Sequence, residues 1–346
     1  MDQSKNAGLQ ASRAIAALSV AYFHSYVAIR GAFPEASWAP IPFLRDWGFL
    51  GVNFFFAISG YVICMVVERP GFSVRGFIIK RGFRLYPMYW LTMAVVVGLI
   101  AWGKYRVEPA GHFLYSMTLL PQQHAPAYDF SWTLEREMVF YALAAIVVPL
   151  LGIWGLAATL AALALAGLYL GNPWSFHLIS TTQADFLAGV VVFALSSQLQ
   201  RVGAALPIMA GAALLWFTRT HDFLFSAPLS MGIVLAGMVN LRLPWHRAPF
   251  HWMIAAGDAS YSIYLLHYIV FLIASIAAGQ WILLPAWMAE PWRFASLLAC
   301  CAISWVTFRL VEGPMIAFGN RVSSLALQRS GAASLSRASA DHFETQ

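Results

Sequence analysis

Charged side chains are scarce in this sequence: Asp, Glu, Lys and Arg make up 10% of its 346 residues, while 60% are hydrophobic. An ordinary soluble domain carries about 25% charge. A chain with so little cannot cover a water-facing surface, which excludes a soluble globular protein. Cysteine is nearly absent as well. Cys64, Cys300 and Cys301 lie in apolar runs with no C-x-x-C spacing, so neither a disulfide framework nor a thiolate metal site is expected. The chain also lacks a G-x-S-x-G elbow and an H-E-x-x-H pair, which argues against serine-hydrolase and zinc-protease chemistry. A formal charge of +6 and a pI near 9.3 suggest polyanion partners, but the basic residues gather beside the ends of apolar runs, where they set membrane topology. Nucleic acid is therefore not an expected partner. No internal repeat is visible, and the first apolar run lacks the A-x-A cleavage pattern of a signal peptide.

What the sequence has in quantity is long apolar stretches. Runs of roughly 17–25 residues, the length that crosses a bilayer as helix, fall near 9–29, 47–67, 87–103, 132–151, 153–170, 179–197, 202–218, 223–240, 253–276 and 292–312. They predict an all-α, polytopic membrane bundle of about ten transmembrane helices. One domain is expected over 1–318, followed by a disordered, Ser- and Ala-rich cytoplasmic tail over 319–346. A cytoplasmic N-terminus places Arg75, Lys80, Arg81, Arg84, Arg201 and Arg321 inside and leaves Arg30, Arg45, Lys104, Arg106 and Arg219 outside. The positive-inside rule favours this orientation, and an even number of spans returns the C-terminus to the cytoplasm. Two longer connections, a basic loop over 68–87 and an external stretch over 104–131 containing HFLYSMTLL, are expected on the membrane surface.

Several polar residues sit where lipid would make them costly. Arg13 and His24 are close to three helical turns apart, on one helix face, with an axial separation of about 16 Å. Intramembrane ionisable groups usually face a cavity or a partner; the simpler reading is a snorkelling arginine and a hydrogen-bonded core histidine. The next run, GVNFFFAISGY, carries Asn53 and Ser59, where small residues also serve close helix packing. SWTLEREMVFY places Trp132, Glu135, Arg136 and Glu137 at an external helix entrance, and capping with solvation suffices for Glu135 and Arg136. In GDASYSIYLLHYIVF, residues Ser260, Tyr264, His267 and Phe271 form one stripe beside Tyr261, and His267 can reach the depth of His24. Arg309 and Glu312 at i, i+3 read as an ion pair. Asp185, alone in an apolar run, reads as a buried hydrogen-bonding group.

Taken in order, RAIAALSVAYFH, GVNFFFAISGYVI, FIIKRGFRLYPMYW, WTLEREMVFY, GDASYSIYLLH and VEGP resemble the acyltransferase 3 family, bacterial membrane acyltransferases that modify O-antigens, exopolysaccharides and Nod factors. The resemblance implies a helical bundle in the bacterial inner membrane that transfers an acyl group, commonly acetyl, from cytoplasmic acyl-CoA to a glycan hydroxyl. It also implies that Arg13 and His24 are required, with the basic residues Arg81 and Arg84. The chain departs from the family pattern at Asn53, where an acid is frequent, at Thr133 after Trp132, and at VEGP.

The expected mechanism holds the phosphates of acyl-CoA at Lys80, Arg81 and Arg84. The pantetheine arm then passes Arg13 towards His24, which acts as general base or accepts the acyl group itself. Glu137 is expected to orient His24 or the acceptor, and Asn53, Ser59, Trp132, Tyr261 and His267 to line the substrate site. Acyl-CoA is a substrate here, and no bound cofactor or metal is expected. The other partners expected are a glycan or lipid-linked saccharide acceptor, the bilayer and polysaccharide-export proteins. A transporter or flippase for a glycan or lipid-linked intermediate is the rival reading; it would show paired half-repeats with broken helices, and none is visible. A structural partner in an export complex is a further rival, and in that role His24 would be replaceable.

Overall fold

The computed structural model describes residues 3–33, 39–170, 177–218, 225–242, 244, 247, 250–282 and 284–344. Arg219, expected on the outer side, and the start of the run expected at 223 lie outside the described residues. The helices in chain order are α1 (Gln3–Ile29), α2 (Pro42–Trp47), α3 (Gly51–Val67), α4 (Val74–Ala101), α5 (Ala110–Ser116), α6 (Trp132–Tyr169), α7 (Gln183–Ala194), α8 (Ser196–Leu199), α9 (Ala205–Thr218), α10 (Ser226–Met238), α11 (Phe250–Asp258), α12 (Ser260–Ile276), α13 (Ala289–Thr307) and α14 (Gly313–Glu344). There is no strand among the described residues, so the chain is all-helical. Five helical segments are long and apolar enough to cross a membrane by length and composition: Pro42–Val67, Val74–Ala101, Asp129–Tyr169, Ser260–Gln280 and Ala286–Gln328.

Helix α1 is not among those five, because Gln10, Ser12, Arg13, Ser19, His24 and Ser25 dilute its apolar content. It lies inside the bundle instead, packed against α3, α10, α11, α12 and α13. Ala11, Ala14, Ala16, Ala17 and Ala21 are fully buried; small side chains let neighbouring backbones come close. The bundle thus wraps a helix that carries an arginine and a histidine.

Two boundaries and one ion pair differ from the sequence expectation. The loop expected over 68–87 is mostly helix, since α4 starts at Val74, where the Ser73 hydroxyl accepts from the Gly76 N–H at 3.4 Å. Pro87 lies within that helix, where it removes one backbone donor without ending the run. Arg81 and Arg84 therefore belong to a rigid helix rather than a surface loop. Helix α14 continues through the boundary expected at 318/319 and packs back on α4, with Gly319 against Phe83 and the Ser323 hydroxyl donating to the Gly76 carbonyl at 3.4 Å. The ion pair expected between Arg309 and Glu312 does not form. A π-turn over Phe308–Glu312 changes the register of the two side chains. Arg309 stacks on Trp305 at 5.0 Å, and Glu312 turns inward to accept from Ser262 at 2.7 Å.

Helix α6 breaks at Gly152, whose φ of 70° is left-handed, at the position where the sequence separates two apolar runs. Helices α3 and α7 cross backbone to backbone: a side chain at Gly60 would strike the Phe186 carbonyl, and one at Gly189 the Ala57 carbonyl. That contact fixes the spacing between Asn53 on α3 and Asp185 on α7. Replacing Gly189 by Ala should cost about 1–3 kcal/mol, the scale of an overpacked core, and lower the thermal midpoint of the detergent-purified protein. An unchanged midpoint would show that α3 and α7 are not locked at this crossing.

Candidate active site

Two cavities lie one beyond the other in the bundle. The first is walled by α1, α3, α4, α6 and α12 and contains Arg13, Ser59, Arg81, Arg84, Thr133, Glu137, Tyr141 and Tyr261. The second contains His24, Asn53, Phe130, Trp132, Thr182 and Asp185. Val52, Phe56 and Tyr264 line both, so three side chains form the partition between them.

The first cavity is basic. Arg13, Arg81 and Arg84 make no salt bridge among the described residues. Arg81 stacks on Phe77 and Tyr141, at 5.5 and 5.1 Å from the ring centres, and Arg13 lies in the fields of Arg84, Glu312 and Glu137. Three guanidinium groups with few fixed partners make a receptor for phosphate, which takes their planar forks two bonds at a time. Lys80 is exposed and does not line this cavity; one residue before Arg81, it is turned about 100° round the helix.

Glu137 also belongs to the basic cavity, not to the surroundings of His24. Its Oε1 accepts from Ser59 at 2.7 Å and from the Tyr141 hydroxyl. The reason is helical phase: Thr133, Glu137 and Tyr141 share the face of α6 that looks into the first cavity. The expectation that Glu137 orients His24 directly is not met by any hydrogen bond. Glu135, expected to be a solvated cap, is fully buried and takes bonds from Gln122 at 2.5 Å and the His177 ring at 2.7 Å.

The second cavity is organised by a pair of imidazoles. His267 is fully buried, with Nδ1 at 2.5 Å from the Tyr264 carbonyl. His24 Nδ1 lies 3.0 Å from the Val20 carbonyl and 3.2 Å from His267 Nε2. A carbonyl oxygen only accepts, so each Nδ1 carries its hydrogen in the neutral pair. His267 Nε2 is then an acceptor, and His24 shares its Nδ1 hydrogen between that nitrogen and the Val20 carbonyl. The lone pair of His24 is left on Nε2. Phe23 and Phe130 hold the ring edge-on, with centroids at 4.9 and 4.8 Å.

Of the other residues expected at the site, Trp132 walls the second cavity with the Arg136 guanidinium 4.8 Å over its ring. Tyr261 lines the first cavity and donates to the Leu85 carbonyl at 2.8 Å. Sequence reasoning missed two contributors. Tyr264 forms part of the partition, its hydroxyl bonded to Thr133 at 3.0 Å and to the Phe130 carbonyl at 3.2 Å. Asp185 lies in the second cavity and accepts from the Asn53 amide at 3.0 Å; its signal was available, since a lone acid in an apolar run is a functional candidate by default. No group of three or more His, Cys, Asp or Glu able to hold a metal occurs among the described residues.

Apolar helices around a basic cavity that adjoins a chamber with a bare imidazole nitrogen define a membrane-embedded enzyme of group transfer. The chain belongs to the acyltransferase 3 family: the family's acyltransferase domain matches residues 6–309, which span every residue of both cavities, and the protein is an acyltransferase. It is 28% identical to the exopolysaccharide production protein ExoZ of Rhizobium meliloti over 293 residues, 79% of this chain and 90% of ExoZ. It is 27% identical to BcsY of Komagataeibacter xylinus, whose name describes a membrane-bound transacylase, over 82% of this chain and 81% of BcsY. Nodulation protein 10 of Rhizobium leguminosarum bv. viciae is 27% identical over 76% of this chain and 81% of its own length. No solved structure shows significant similarity to the chain.

The basic cavity yields a binding prediction. Desulfo-CoA should raise the thermal midpoint of the purified protein, because a ligand bound only to the folded state stabilises it by mass action. In the R81A/R84A double variant the apparent affinity should fall at least about tenfold, the loss of charged hydrogen bonds worth about 1.5–3 kcal/mol each. Equal affinity in the double variant would remove the pair from the donor site.

Proposed function

We propose that the protein is a multi-pass O-acyltransferase of the bacterial inner membrane, with about ten spans and both termini cytoplasmic. It moves an acyl group, acetyl as the simplest case, from cytoplasmic acyl-CoA to a hydroxyl of an exported or cell-surface glycan. One observation carries this reading: an arginine-lined cavity and the His24 chamber adjoin through a partition of only three side chains. The name of ExoZ, an exopolysaccharide production protein, supports a saccharide acceptor.

In this mechanism Arg13, Arg81 and Arg84 take the phosphates of the donor. The pantetheine arm passes between Val52, Phe56 and Tyr264, and the second oxygen of Glu137 accepts from its amide N–H groups. The thioester carbonyl then lies in the His24 chamber. The acceptor oxygen attacks that carbonyl carbon as its proton moves to His24 Nε2. The carbon–sulfur bond breaks, and the departing thiolate recovers the proton from His24, leaving an oxygen ester and free CoA. The Val20 carbonyl and His267 Nε2 stabilise His24 while it is charged, because both accept from its Nδ1.

The test is transfer of label from [14C]acetyl-CoA to the extracellular polysaccharide of the source cells by membranes carrying the protein. His24→Ala should lower the rate by about 10²–10⁴-fold, the usual weight of general-base catalysis, at unchanged protein abundance. No label should remain on the quenched wild-type protein, since His24 acts as base. Retained transfer in His24→Ala would contradict the assignment of the base, and a labelled histidine would replace it by covalent catalysis.

A further inference from the structure

The His24 chamber holds a second hydrogen-bond acceptor that the transfer step leaves unused. Asp185 is 2% exposed and shares the chamber wall with His24. Asn53 donates to its Oδ1 at 3.0 Å, and its other oxygen takes no hydrogen bond from any described residue. A carboxyl buried in a low-dielectric interior with an oxygen left unmatched is costly, so a donor supplied from outside the protein is the natural complement. Arg136 stands behind the same wall, bonded to Thr182 and stacked on Trp132. Its guanidinium lies within electrostatic reach of Asp185.

The chamber therefore presents two acceptors to whatever enters it: the bare Nε2 of His24, and the free oxygen of Asp185. A molecule that satisfies both must bring two donors. One hydroxyl gives up its proton at His24; a second, on the same molecule, stays intact and donates to Asp185. Phe130 and Trp132 add flat apolar walls, suited to the carbon face of a ring carrying few oriented polar groups.

We propose that Asp185 is the acceptor-recognition residue, that Asn53 holds it in place, and that the acceptor is a polyol with a second hydroxyl besides the one that is acylated. This rests on the transfer reading above and narrows it: a simple mono-alcohol leaves the buried carboxylate unmatched and is discriminated against. A site built to bond a hydroxyl rejects analogues without it far more strongly than an apolar pocket rejects a change of size.

Asp185→Asn keeps the shape of the side chain and the contact with residue 53, but removes the charge. With [14C]acetyl-CoA as donor and the extracellular polysaccharide of the source cells as acceptor, the variant should raise the KM for polysaccharide at least about tenfold, with a smaller fall in kcat. Stabilisation of the purified variant by desulfo-CoA should match the wild type, which reports an intact fold and donor site. An unchanged KM for polysaccharide would overturn the proposal, and so would loss of the desulfo-CoA effect, which would make Asp185 a structural group of the bundle. If the wild-type protein incorporates no label at all, the transfer reading itself fails, an outcome distinct from both.

Discussion

A helix that carries Arg13 and His24 cannot face lipid. The cost of an ionisable group in hydrocarbon forces α1 to the inside of the bundle, and the architecture follows from that constraint. Helices α3, α11 and α12 close on α1, and glycines such as Gly51 and Gly257 bring their backbones against it. The polar face of α1 then opens into internal space, where the other polar residues of the chain collect. The longer apolar helices supply the outward surface, with Leu150, Leu151 and Leu170 among their exposed side chains.

The internal space is divided by polarity as well as by shape. On one side are three arginines with a carboxylate held apart by Ser59 and Tyr141; on the other are imidazoles, a carboxyl and aromatic walls. A thioester donor has the same polarity along its length: an anionic phosphate end, an amide-bearing arm and a small reactive carbonyl. The side chains of Val52, Phe56 and Tyr264 line both spaces and stand between the arginines and His24. His24 itself is set by neutral acceptors alone. Val20 and His267 fix its tautomer without a carboxylate, which leaves Nε2 as the nitrogen open to the chamber.

Much of this was legible in the sequence, for physical reasons. Buried charge in apolar runs is rare enough that Arg13, His24 and Asn53 stood out, and the order of motifs pointed to the family that the domain match shows. Depth along a helix follows from counting residues, so Arg13 and His24 were placed at separate levels. What counting did not supply was rotation about each helix relative to its neighbours. Glu137 faces the arginines rather than His24, Lys80 turns outward, and the π-turn at Phe308–Glu312 separates Arg309 from Glu312. Asp185 was visible as an isolated acid, but its partner lies 132 positions away in the chain, and only the α3–α7 crossing brings them together. The stretch over 68–87 read as surface structure because it is basic and amphipathic, while α4 sustains helix from Val74 through Pro87 to Ala101.

A donor that runs from the arginines to His24 can be seen in a structure of the protein with acetyl-CoA bound. The account predicts phosphates on Arg13, Arg81 and Arg84, pantetheine between Val52, Phe56 and Tyr264, and the thioester carbonyl within about 4 Å of His24 Nε2, near-attack distance once an acceptor oxygen is included. Acetyl-CoA bound with its thioester outside the His24 chamber, or with its phosphates away from the three arginines, would contradict it.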